Sequence, residues 1–148
     1  MTPRVLHWRS ALLAWAEGLD GQPFAWGLTD CATLARKALE VCFGMDLVPE
    51  CPSWNKPHEA LRVIRDFGRP SQILTRLGAA PRPLTFVRAG DIIVMPEQQE
   101  PIGREALGVW LDGAVLLSDR ERGAHIVARP IMPNDATAYS IWEVPARG

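Results

Sequence analysis

The chain has 148 residues, a formal net charge of −1 and an apolar fraction of 47%. These values suit one domain, residues 1–148, around a single hydrophobic core. They exclude the basic footprint of a nucleic-acid-binding protein. No apolar run approaches the roughly 20 residues of a membrane span, and the opening Met1 to Arg4 leads into an amphipathic helix rather than a signal-peptide core.

The N-terminal half predicts helices. Apolar residues recur at three- and four-residue steps, and glycines follow three of the four segments. In the first helix, Val5, Leu12, Trp15 and Leu19 are predicted to face inward. The predicted helices are Arg4–Gly18, Asp30–Phe43, Pro57–Phe67 and Pro70–Leu77.

The C-terminal half predicts short strands separated by turn residues. Asp112-Gly113 lies between two of them and is typical of a hairpin. The polar segment Glu97–Gly103 is predicted to be a surface loop. Helices followed by a meandering antiparallel sheet define an α+β fold. The predicted strands are Asp91–Met95, Ala106–Leu111, Ala114–Ser118, His125–Arg129 and Tyr139–Val144.

Cys31 is the candidate nucleophile. It follows the aromatic-flanked turn Phe24-Ala25-Trp26-Gly27 and stands in the first turn of the second helix, with Asp30 as the capping residue. The free N–H groups and partial positive charge of a helix N-terminus lower a cysteine pKa and can hold an oxyanion. The alternative is a small apolar residue that begins a stripe facing the core.

This segment resembles the nucleophile motif of the NlpC-type cysteine peptidases, papain-like enzymes that cut the peptide stems of bacterial cell walls. In that family Pro-Tyr-x-Trp-Gly precedes Asp-Cys-Ser-Gly-Leu. The matching positions are Pro23, Trp26, Gly27, Asp30, Cys31 and Leu34. Gly90-Asp91 resembles the opening of the family's first core strand, and Leu107–Leu111 resembles the next strand. The resemblance implies a papain-like domain whose N-terminal helices pack on a C-terminal antiparallel sheet.

Three departures from this pattern concern catalysis. The family's second strand opens with the general-base histidine, and Ala106 occupies the matching position. The residue that orients the imidazole would fall near Leu117 or Ser118. Phe24 lacks the hydroxyl of the family's tyrosine. Because a positioned base contributes roughly a hundred- to ten-thousand-fold, these departures predict a scaffold whose chemistry is lost or changed.

His125 is the alternative base. It lies in a strand-like run two strands beyond Ala106, and the competing interpretation is a surface or interface histidine. His7 on the first helix is predicted to be solvated, and His58 is an ordinary polar residue at the start of the third helix. The three cysteines have neither the spacing of a zinc site nor that of a disulfide framework, and no cofactor is expected.

Trp54 lies in the proline-rich loop Cys51–Pro57 and is a candidate interface residue.

Small NlpC-like proteins without the histidine resemble a branch found among phage and prophage tail-tip genes. The resemblance implies a tail-assembly component that binds a hub protein, present in the bacterial cytoplasm during assembly and then at the virion tail tip. Two alternatives stay open: an active cell-wall peptidase or amidase that uses Cys31 with His125, and a papain-like module that binds a peptide or glycan.

Overall fold

The computed structural model describes residues 2–96 and 105–144, with only the backbone for 143 and 144. Four α-helices lie in these residues. The second and third agree closely with the sequence prediction, because each has a clear start and a glycine immediately after its last residue. The helices are α1 Trp8–Leu19, α2 Cys31–Phe43, α3 Pro57–Phe67 and α4 Pro70–Arg76.

The strands form an antiparallel six-stranded sheet in the order β2-β7-β3-β4-β5-β6, together with a small β1-β8 pair. The Asp112-Gly113 hairpin is confirmed, since the Leu111 amide donates to the Ala114 carbonyl at 2.9 Å. The predicted loop Glu97–Gly103 lies outside the described residues. The strands are β1 Thr2–Pro3, β2 Ala80–Arg82, β3 Ile92–Pro96, β4 Glu105–Trp110, β5 Ala114–Asp119, β6 Gly123–Ala128, β7 Thr137–Ser140 and β8 Glu143–Val144.

Two predicted elements were wrong in detail. The strand Tyr139–Val144 is divided, because β7 pairs with β2 and β3 whereas β8 pairs with β1. The first helix begins at Trp8, since the preceding His7 has a left-handed backbone with φ of 60°. The Val5 amide donates to the Cys42 carbonyl, and its side chain is exposed rather than inward-facing.

The main core lies between α1, α2 and one face of the six-stranded sheet. Buried side chains from both helices meet alternate residues of β4 and β5, as the two-residue period of a strand requires. They include Leu12, Ala16, Leu34, Ala38, Leu107, Val109 and Leu116. A second, smaller cluster of Ile93, Ala136 and Ala138 lies on the opposite face. The cysteine helix therefore packs directly on the sheet.

Within the described residues, no helix combines the length and apolar character needed to cross a bilayer.

Candidate functional site

Asp30 organises the turn that leads into α2. Its carboxylate is buried and accepts the Thr33 amide at 3.0 Å, which confirms the predicted helix cap. It also accepts the Gly27 amide at 2.6 Å, the Thr33 hydroxyl at 2.8 Å and the Trp54 indole N–H at 3.1 Å. One side chain thus joins the turn, the first turn of the helix and a loop that is distant in sequence.

Gly27 is required by its surroundings. Its φ of 79° lies in the left-handed region that side chains disfavour, and a Cβ at this position would overlap the carbonyl oxygen of Trp54. The turn and the loop around Trp54 therefore approach each other backbone to backbone. The indole N–H of Trp54 then reaches Asp30, so this residue holds the loop against the turn. Contact of Trp54 with a partner protein stays a prediction.

Cys31 is half-buried at the first position of α2 and lines a cleft. Phe24 and Trp26 stand beside it with their rings edge to face and their centroids 5.0 Å apart. The guanidinium of Arg120 lies 5.3 Å from the centre of the Trp26 ring. The thiol end of the cleft is thus bordered by two aromatic rings and a cation.

The cleft has a volume of about 600 Å³ and extends from Cys31 along α2 towards α3 and α4. Its lining changes character along this path. Polar residues lie near the thiol: Asp30, Ser118, Asp119 and Arg120. Mainly apolar side chains line the rest, together with Arg36 and Glu105. The apolar residues include Ala35, Leu39, Val63, Ile64, Ile73, Leu74, Leu77, Ile92 and Leu107.

The register of β4 decides which of its residues face this cleft. Ala106 pairs with Met95, which packs against the smaller cluster on the far face of the sheet. Leu107 belongs to the main core under α2. Because side chains alternate between the two faces of a strand, Glu105 and Leu107 share the helix side and Ala106 does not. Glu105 and Leu107 accordingly line the cleft, whereas the structure does not bring Ala106 to it.

Glu105 was missed by sequence reasoning, although strict alternation from Leu107 would have indicated it. Its carboxylate accepts the backbone amide of Ser71 at 2.9 Å and the Ser71 hydroxyl at 2.6 Å. These bonds attach the start of α4 to the edge of the cleft. The carboxylate therefore has a structural role in joining α4 to the sheet.

No histidine is found among the described residues that line the cleft. His125 pairs with Leu117, while the neighbouring Ser118 points to the helix side of the sheet and donates a hydrogen bond to the Thr29 carbonyl. Alternation then places His125 on the opposite face, and its Nδ1 lies 2.9 Å from the Gly123 carbonyl oxygen. His7 and His58 are exposed. The register thus separates His125 from Cys31.

Gly90 and Asp91 lie towards the other end of α2. Asp91 is fully buried, accepts the Arg88 amide at 2.9 Å and accepts the Ser140 hydroxyl at 2.7 Å. Gly90 packs against the guanidinium of Arg4, which also stacks on Trp8 and Trp142 and lies near Phe43, the last residue of α2. This motif therefore supports the scaffold and does not approach the thiol.

The chain thus has an α+β fold in which a helix that begins with a cysteine packs on an antiparallel sheet and faces a cleft. The chain is similar to the NlpC/p60 domain of the peptidoglycan hydrolase SagA, with a TM-score of 0.50 and 16% identity over 90% of this chain and 98% of that chain. Identity at this level shows the fold alone. No curated protein matches the sequence. Residues 3–143 match the family described as a domain of unknown function, DUF6950, and the chain belongs to that family.

Proposed function

We propose that this protein is a catalytically degenerate member of the NlpC-like class that serves as a component of a phage or prophage tail tip. The observation that carries the first part is the cleft itself. Cys31 is present at the helix N-terminus, yet no imidazole lies among the described residues around it. A positioned base contributes roughly a hundred- to ten-thousand-fold, so hydrolysis without an imidazole in the cleft would be slow.

The rest of the site supports retention of the scaffold. The bonds of Asp30 with Gly27, Thr33 and Trp54 are fully formed, so the architecture around the thiol is intact without a base. The tail-tip role and the hub-protein partner rest on the resemblance of the sequence to the histidine-lacking branch of the family. Trp54, half-buried beside the turn, is the proposed contact residue for that partner.

The proposal is tested by separating hydrolysis from assembly. The purified protein should release no product from cell-wall stem peptides, and Cys31→Ala should leave tail assembly and infectivity unchanged. Thiol-dependent hydrolysis lost in both Cys31→Ser and His125→Ala would instead establish an active peptidase. Normal particles that fail to infect with Cys31→Ala would also contradict the proposal, because they would show that the thiol still performs a reaction.

The partner contact has its own test. Trp54→Ala should weaken capture of the protein by isolated tail hub proteins more than it lowers thermal stability. Trp54→Phe is the matched control, since it keeps an aromatic surface but removes the indole N–H that reaches Asp30. Binding that is unchanged in Trp54→Ala would remove this residue from the interface.

A further inference from the structure

The cleft contains a long apolar compartment, and loss of a catalytic site does not explain why this compartment is present. Small-molecule sites typically have volumes of about 300 to 1,000 Å³, and this cleft measures about 600 Å³. Ile64, Ile73 and Leu77 line it and are only half-buried. Apolar side chains that face a cleft of this size favour an apolar ligand, because binding removes their surface from water.

Most of the walls of this compartment offer few backbone partners to a peptide. A peptide brings N–H and C=O groups that must find partners when buried. Ile92 lies in β3, which pairs with β4 and β7 at this position, so Ile92 offers no unpaired strand edge. Most of the remaining apolar lining comes from α2, α3 and α4, whose central backbone groups are bonded internally. The loop residues Leu47, Val48 and Cys51 complete it.

The charged side chains along the compartment are already held by the protein. Arg36 donates to both carboxylate oxygens of Asp46, at 3.1 and 2.7 Å, and to the Val48 carbonyl at 3.0 Å. Glu105 accepts both bonds from Ser71. Because these groups bond within the protein, they present no new polar partners to a ligand. An unbranched hydrocarbon chain needs no polar partner and therefore fits this lining.

The thiol end offers a different chemistry. Arg120 is exposed, lines the cleft and makes no ion pair with any residue in the described part of the chain. Its guanidinium is restrained over the Trp26 ring at the edge of the opening. A guanidinium in this position suits a carboxylate, which it can bind through two parallel hydrogen bonds.

We propose that the cleft binds a long-chain alkyl carboxylate, with the hydrocarbon chain between α2, α3 and α4 and the carboxylate beside Arg120. The inference rests on the lining of the cleft and does not depend on the tail-tip role or on the reactivity of Cys31. It names a ligand class with one carboxylate head and one unbranched chain, which a free fatty acid supplies.

The first experiment measures the dependence of affinity on chain length. The full-length protein is titrated with octanoate, decanoate and dodecanoate below their micelle concentrations, by isothermal calorimetry. Burial of each methylene contributes about 0.8 kcal/mol, so Kd should fall about fourfold per added methylene. Absence of binding, or an affinity that does not change with chain length, would overturn the proposal.

Two matched pairs of variants locate the ligand. Ile64→Glu places a carboxylate in the cleft and should weaken dodecanoate binding at least tenfold, whereas Leu61→Glu changes an exposed residue of the same helix that does not line the cleft. Arg120→Gln should weaken dodecanoate but not dodecanol, with Arg62→Gln as the control. Equal effects within either pair would contradict the assigned pose. If Ile64→Glu does not fold, as judged by thermal melting, Ile64→Ala replaces it with a smaller expected loss.

Two further measurements identify the ligand that the cleft binds. Binding of free dodecanoate without sedimentation on phosphatidylcholine vesicles supports a fatty acid. Equally strong binding to the vesicles would overturn the proposal, because the acyl chains of this lipid are esters without a free carboxylate. Displacement of dodecanoate by acetyl-trileucine amide at equal concentration would overturn the proposal, because it would show that the cleft accepts an apolar peptide as readily as a hydrocarbon chain.

Discussion

Two turns of this protein share a glycine and a buried aspartate but differ in what they contact. In the first, the carboxylate of Asp30 binds groups of the turn, the helix and the Trp54 loop. In the second, the carboxylate of Asp91 binds the Arg88 amide and the Ser140 hydroxyl. The first turn presents Cys31 to the cleft, and the second supports the strands near the far end of the same helix.

The glycines show the difference most clearly. A Cβ on Gly27 would overlap the backbone of the Trp54 loop, which cannot move without displacing the loop. A Cβ on Gly90 would lie 2.9 Å from the Nη1 atom of Arg4, at the end of a flexible side chain. Two glycines with a similar φ thus differ in what a Cβ would meet: backbone atoms in the first turn and the end of a side chain in the second.

The largest effect is therefore expected at Gly27. Gly27→Val should abolish cooperative folding, and Gly27→Ala should lower the free energy of unfolding by more than about 4 kcal/mol. Gly90→Ala should lower it by about 2 kcal/mol, because Arg4 can adjust. Urea denaturation followed by tryptophan fluorescence measures all three.

Gly113→Ala is the control for backbone conformation alone. Gly113 has a φ of 64°, and a Cβ added to it would meet no atom within 4 Å, so the left-handed backbone should lower stability by about 1 kcal/mol. If Gly27→Ala were no more destabilising than Gly113→Ala, close packing against the Trp54 loop could not be the reason for glycine at that position.

The aspartates should differ by a smaller amount. A helix cap alone contributes about 1 kcal/mol, but Asp30 accepts three further hydrogen bonds. Asp30→Ala should therefore lower the free energy of unfolding by about 3 kcal/mol, and Asp91→Ala by about 2 kcal/mol. A loss near 1 kcal/mol for Asp30→Ala would show that only the cap matters.

The smallest expected effect is a difference in how the two ends of α2 contribute to the pH dependence of stability. Burial raises the pKa of Cys42 to about 11 from a usual value of 9.0, and the nearby Arg4 only partly opposes this. A raised pKa in the folded state stabilises the protein fully below about pH 9, and this contribution is lost as the pH rises towards 11. Over that range it amounts to about 2 kcal/mol.

Cys42→Ala should remove this part of the alkaline destabilisation, so its unfolding free energy should decline less between pH 9 and 11 than that of the native protein. Cys31→Ala is the matched variant at the other end of the helix, where the thiol is half-buried. Identical pH profiles for the native protein and Cys42→Ala would contradict the assignment. Denaturant titration at several pH values is the measurement.

The sequence predicted the cysteine helix and its cap because both depend on neighbours within a few residues. Periodic apolar positions and Asp30 before Cys31 were sufficient, and α2 begins at Cys31 as expected. The strand faces were harder to predict. The Tyr139–Val144 segment has one apolar pattern but divides between two sheets, and the short β2 pairs with a strand far along the chain.

By itself, the sequence determined the α+β class and the position of Cys31, since these follow from local conformation and hydrophobic period. Tertiary structure decided which residues share the cleft. Strand alternation converts a one-residue difference into opposite faces, so Glu105 reached the cleft instead of Ala106. The bond from Trp54 to Asp30 and the apolar compartment arise from segments that meet only in the folded chain, and no local pattern specifies such meetings.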